Sequence, residues 1–180
     1  MAPQPRFLFC LDFVLGREGG YSDHPADRGG ATNCGVTQGL YDTVRSELGK
    51  PQRDVRGITE VEVRHIYERE FWRPPRCHLM TPPLDLLLFD SAVQHGAGRA
   101  ARLLQSVVGV FQDGAVGPKT VGAVTEFERR KGVAGLVRAY VARRRWFYAD
   151  IVRNDPSQKV FEKGWENRLN ATQAACEKEL

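Results

Sequence analysis

The sequence predicts a mainly α protein of two helical lobes, with a small β-hairpin following the first helix. Three observations predict it. Apolar residues recur at three- and four-residue spacing along most of the chain, glycine and proline breaks bound those stretches, and one run, residues 21–37, fits neither a helix nor a buried strand.

The first helix is expected over about Phe7 to Arg17, with Phe7, Leu11, Val14 and Leu15 on one face and Gly19-Gly20 ending it. The run YSDHPADRGGATNCGVT reads as a tight irregular hairpin, because its glycines, Pro25 and scattered Asp and Asn favour turns. Thr37 can cap a second helix with Leu40, Tyr41, Val44 and Leu48 inside and Gly49 as its stop. Thr59 and Glu62 form a capping box for a third, which carries Val63, Ile66, Tyr67 and Phe71 and halts before Pro74-Pro75. Thr81 and Pro82 open a helix through LDLLLFDSAVQHG, and RAARLLQSVVG follows Gly96 to Gly98. After the turn-rich FQDGAVGPKT, Pro118 starts another helix. A long one is expected from about Val133 to Arg153, with Leu136, Tyr140, Phe147 and Ile151 inside. Asn154-Asp155-Pro156 breaks it, and a last helix holds Val160, Phe161, Trp165 and Leu169. A soft boundary at 78–83 predicts lobes over 7–82 and 83–180, packed as one unit with a cleft between them.

With 42% hydrophobic and 27% charged residues over 180 positions, the chain has the composition of a globular protein able to bury a core, which excludes a disordered one. A net charge of +4 suits an anionic partner without choosing one. Cys10, Cys34, Cys77 and Cys176 make no CxxC pair and are expected as free thiols, most of them buried. His24, His65, His78 and His95 have no ligand spacing, so neither a metal nor another cofactor is expected. Membrane insertion is not expected, since no stretch has the apolar length of a span, and the charges are too dispersed for a nucleic-acid binder.

Glu18 continues the apolar stripe of the first helix, three positions after Leu15. Partial burial there disfavours the charged form, as glycosidic cleavage requires of the acid that protonates the leaving oxygen. Two glycines after it leave room for a polymer. The same spacing equally suits a helix-end residue paired with Arg17 or Arg28. Asp27 is the second carboxylate, able to return across the hairpin and activate water or stabilise positive charge, or else simply a turn former before Arg-Gly-Gly. Thr32 holds the water or Asp27 in one reading and is a loop hydroxyl in the other.

The run EGGYSDHPADRGGATNCGVT, Glu18 to Thr37, resembles the signature of the bacterial and phage N-acetylmuramidases of glycoside hydrolase family 108. The resemblance implies a lysozyme-like two-lobe helical fold. It also implies cleavage of the bond between N-acetylmuramic acid and N-acetylglucosamine, with Glu18 as catalytic acid. The offset from Glu18 to Asp27 is similar to that of the phage-lysozyme triad, where threonine follows six positions on. Here Asn33 stands at that place, with Thr32 one short. Cys34 stands where the family has an aromatic residue. IYEREFW, LFDSAVQHG and the DGxxGPxT match at Asp113 to Thr120 extend the resemblance downstream to a C-terminal peptidoglycan-binding region, with Gln94 in place of an asparagine.

Tyr21 and Trp72 are candidates to stack on sugar rings, with core packing as the alternative, whereas Tyr41 reads as core. Asp90 and Gln94 are candidate substrate contacts. For Asp90, on an apolar helix face, a buried structural acid is the competing reading, and Arg143-Arg144-Arg145 reads as a solvated helix face. The partner implied is peptidoglycan, met as a monomer. The start MAPQPRFLFCLDFVLGREGG lacks the features of a secretory signal. Release through a holin pore or a dedicated secretion machine is therefore expected. A non-catalytic wall binder and a lytic transglycosylase are the competing functions.

Overall fold

A computed structural model of the chain describes residues 5–23 and 30–180. The chain divides into two compact units, 1–70 and 71–180, and no helix among the described residues is long and apolar enough to cross a membrane. The fold is mainly α with one small two-stranded antiparallel sheet, as the sequence predicts. The division falls within a π-helical turn, Glu68–Trp72.

In the first unit, α1 (Pro5–Leu15) buries Phe7, Cys10, Leu11 and Val14. Turns carry the backbone past its end, where the Glu18 N–H donates to the Leu15 carbonyl at 3.1 Å. Strands β1 (Thr32–Asn33) and β2 (Val36–Thr37) pair Thr32 with Thr37 and Asn33 with Val36. Ser22 extends the ladder by bridging to Thr32. The connecting Cys34 and Gly35 have φ of +50° and +73°, and a two-residue hairpin turn of the type whose twist matches the strands needs both values positive.

Thr37 both closes the hairpin and caps α2 (Gln38–Glu47), its hydroxyl accepting the Leu40 N–H at 3.3 Å. Tyr41 and Val44 are buried as expected. Leu48 is not: it is the C-cap, beyond the last turn of the buried stripe, and 46% exposed. Helix α3 (Glu60–Tyr67) starts with the capping box of Thr59 and Glu62. It stops before Phe71, because the backbone widens into the π turn.

In the second unit, α4 (Leu84–His95) buries Leu84 through Ala92 without a polar face, the mark of a central helix. It packs on α5 (Ala97–Val108), α6 (Pro118–Asn154) and α7 (Lys159–Glu177). Gly132, with φ +72°, interrupts α6 just before Val133, where the sequence predicts the start of a separate helix. The DGAVGPKT loop is closed by the buried Gln105, whose amide donates to Asp113 Oδ1 at 2.6 Å and whose carbonyl oxygen accepts the Gly114 N–H at 2.9 Å.

Two expectations for this unit are corrected. Val160 and Phe161 are exposed, because the apolar stripe of α7 begins a turn later and runs through Trp165, Leu169, Thr172 and Cys176. Arg144 is not on a solvated face. It continues the stripe of Tyr140 and Tyr148 at four-residue spacing and is fully buried. The cysteines are free thiols, with Cys10, Cys77 and Cys176 buried and Cys34 half-buried.

Candidate active site

Glu18 stands in the turns that follow α1, half-buried. Its carboxyl lies against the hairpin tip. A β-carbon added at Gly35 would stand 3.0 Å from Glu18 Oε2 and 3.2 Å from its carboxyl carbon, and would overlap the Tyr67 hydroxyl. Gly35 is thus required twice, for its left-handed backbone and for the space that the carboxyl and the phenol occupy. Tyr67, at the end of α3, donates its hydroxyl to the Cys34 carbonyl at 2.9 Å and fixes the tip. α1, the hairpin and α3 therefore converge on one carboxylate.

The hairpin is anchored from its other side. The Asn33 carboxamide donates to the Val55 and Arg56 carbonyls at 3.3 and 3.2 Å, and Gln38 Oε1 accepts the Val55 N–H at 2.7 Å. Behind this loop, Tyr41 and Arg45 meet Glu62: Arg45 Nη1 lies 2.6 Å from one carboxylate oxygen, and the Tyr41 hydroxyl donates to the other at 3.0 Å. Burial alone would push the Glu62 carboxyl up. Bonds from the Thr59 backbone and hydroxyl and from Tyr41, with the charge of Arg53, hold it down at about 2 instead. This network is structural and stiffens the frame of the hairpin.

The other sequence-predicted residues divide by position. Asp27 lies outside the described residues. Thr32 sits in β1, its backbone paired with Ser22 and its hydroxyl donating to the Gly30 carbonyl at 3.2 Å. Tyr21 is partly exposed. Arg56 donates to its hydroxyl at 2.8 Å and lies 4.3 Å from the ring centroid, so the ring is held in place. Arg17 donates to the Phe13 carbonyl at 2.7 Å.

Trp72 is buried to 2% exposure, edge-on to Phe89 with centroids 5.3 Å apart. Its ring has no open face for a sugar, and it is core. Asp90 is 0% exposed, and its two oxygens take Arg144 Nη1 and Arg168 Nε, each at 2.7 Å. Burial would push this carboxyl up, but the two guanidinium groups hold it below its ordinary value. The competing reading, a buried structural acid, is the one this geometry fits. Gln94 is half-buried and its carbonyl oxygen accepts from Arg144 at 2.5 Å and Tyr148 at 3.0 Å, so it too belongs to this internal network.

Sequence reasoning missed Gly35 and Tyr67 as parts of the site. The glycine after Asn33-Cys34 was a usable signal for a two-residue turn, whereas nothing local marks Tyr67 as other than core. Among the described residues no three His, Cys, Asp or Glu side chains gather as a metal-ligand set.

A half-buried carboxylate in the turns after a short helix, lying against a glycine-tipped hairpin in a mainly α chain, is the arrangement of a lysozyme-like glycoside hydrolase. Residues 11–96 match the family described as Glycosyl hydrolase 108, and residues 99–170 match the Predicted Peptidoglycan domain. The chain carries a glycosyl hydrolase 108 domain followed by a peptidoglycan domain, the resemblance that its Glu18 to Thr37 signature predicts, and is a peptidoglycan hydrolase. Among solved structures it is similar to that of Brucella abortus SagA, at 28% identity and a TM-score of 0.80, over 96% of this chain and 94% of that one. No curated protein matches.

Proposed function

We propose that this hydrolase is an N-acetylmuramidase that cleaves the β-1,4 bond between N-acetylmuramic acid and N-acetylglucosamine, with Glu18 as the general acid. The observation that carries the reading is the setting of Glu18: half-buried, its carboxyl against Gly35 at the hairpin tip, and followed by Gly19 and Gly20, which are exposed and add no side chains beside it. In the reaction Glu18 gives its proton to the glycosidic oxygen as the bond to the muramoyl C1 breaks. Asp27 is the second carboxylate, activating the water that adds to C1 or stabilising its positive charge, and Thr32 positions that water. Tyr21, its ring presented by Arg56, is the sugar-stacking candidate that retains an exposed face. The protein acts as a monomer on the walls of bacteria, which it lyses.

Purified walls digested with wild type and with Glu18→Gln test this. Wild type is expected to clear the suspension and leave muramic acid at new reducing ends. Glu18→Gln is expected to fold with an unchanged circular-dichroism spectrum and clear walls at least ~100-fold more slowly, the scale of a lost general acid. Near-wild-type clearing by the variant would refute the role of Glu18. Products ending in 1,6-anhydromuramic acid would make the enzyme a lytic transglycosylase, and binding without new ends would make it a wall binder.

A further inference from the structure

We infer that the cavity between α1, the hairpin tip and α3 receives the peptide stem of the muramoyl residue whose bond is cut; the inference rests on the muramidase reading. The cavity holds about 340 Å³, within the size range of small-ligand sites. Two of its lining residues adjoin the proposed acid. Leu15, which lines it, accepts the Glu18 backbone N–H, and Cys34, which also lines it, immediately precedes the Gly35 that touches the Glu18 carboxyl.

The chemistry of the substrate says what can reach there. Muramic acid differs from glucosamine by a lactyl ether on its ring, and that ether carries the peptide. The stem therefore leaves the sugar within one ring of the bond that breaks. A cavity whose lining adjoins the proton donor through Leu15 and Cys34 is within reach of such a branch.

The lining fits a branch of that composition. Leu11, Leu15, Ile58 and Val63 supply apolar walls for alanine methyl groups. Asp12 and Glu60 stand with Arg64 among the lining residues, carboxylates for the amine of a dibasic residue and a guanidinium for a stem carboxylate. Arg64 already meets Glu60 at 3.5 Å, but this is an exposed pair one helical turn apart, a geometry worth little in water. Exchanging Glu60 for a ligand carboxylate therefore costs little. A glycan stripped of its peptides has nothing to place in the cavity.

The test uses uncross-linked glycan strands in two forms, with their stems and with the stems removed by an amidase, and compares kcat/KM for release of reducing ends. Wild type is expected to favour stem-bearing strands by about tenfold, the equivalent of ~1.4 kcal/mol of added contact. In Arg64→Gln and in Asp12→Asn, both at exposed positions, the ratio is expected to fall towards one. Equal rates of wild type on the two strands would overturn the inference and leave the muramidase reading intact. So would a preference that survives in both variants. No release from either strand by wild type would overturn the muramidase reading itself, and the stem pocket with it.

Discussion

Replacing Gly35 by alanine isolates what the hairpin tip does for Glu18. Two costs are separable. The left-handed backbone, with φ +73°, costs an alanine about 1–2 kcal/mol relative to glycine. The new methyl group then overlaps the Tyr67 hydroxyl and stands 3.0 Å from Glu18 Oε2, so either the tip lifts or the carboxyl swings away. A displacement of about 1 Å at a reacting group is enough for a ~100-fold loss of rate. Gly35→Ala is therefore expected to lower the urea midpoint modestly and wall clearing severely. Tyr67→Phe removes the overlapping oxygen and the 2.9 Å bond to the Cys34 carbonyl, a loss of about 1 kcal/mol when made alone. In the double variant the overlap with the hydroxyl is relieved, but the 3.0 Å approach to Glu18 Oε2 and the left-handed strain remain. The two changes should then be less than additive in stability, and clearing should recover above that of Gly35→Ala. Strict additivity, or full activity in Gly35→Ala, would refute the view that the tip positions the acid.

Three further outcomes follow from the charged groups. Glu62 titrates at about 2 in the fold against an ordinary 4.5, so its contribution, roughly 3 kcal/mol, is present above pH 4.5 and lost as pH falls towards 2. Subtracting Glu62→Gln from wild type in a pH series of urea melts should show that slope, and a flat difference would count against the Tyr41–Arg45–Glu62 network. His95 runs the other way: burial first, then the charge of Arg144, lowers it to about 3 from 6.5, so only the unfolded chain takes up its proton between those values. The stability deficit of wild type relative to His95→Gln should grow as pH drops from 6.5 towards 3, and parallel curves would exclude a neutral buried imidazole. Asp90→Ala leaves the buried Arg144 and the neighbouring Arg168 without their carboxylate and should cost about 3–5 kcal/mol, measured by the shift in urea midpoint, whereas Asp90→Leu with Arg144→Met and Arg168→Leu should recover much of it. A midpoint unchanged in Asp90→Ala would return Asp90 to the list of substrate contacts.

Helices and caps were legible in the sequence because their signals are local. The Thr59–Glu62 box, Thr37 as a cap, and the break before Val133 are each set by residues within one turn of each other, and the structure has all three. The hairpin was legible as a region and not as a register. Its strands are two residues each, too short for alternation to show, and its turn uses Cys34, a residue with no preference for positive φ. The end of α3 was missed for a related reason: Phe71 and Trp72 continue the apolar pattern, which carries no mark of a π turn.

Glu18 and Asp90 pose the same puzzle in sequence, an acid continuing an apolar helix face, and the structure places them differently. An acid taken out of water inside a fold needs compensation by fixed cations or hydrogen bonds, whereas one at the edge of the fold keeps part of its surface open. Asp90 lies within α4, with other helices against it, and its compensation comes from Arg144 and Arg168, far along the chain and inseparable by sequence from an ordinary basic stretch. Glu18 lies past the end of its helix, half-buried, with two exposed glycines after it that add no side chains beside it. What distinguishes the two acids before any fold is known is therefore the steric bulk of the residues that follow. Alanine or valine at Gly19 and Gly20 should then cost the enzyme its polymer substrate while sparing small chromogenic glycosides, and equal losses on both would show that the glycines serve the backbone alone.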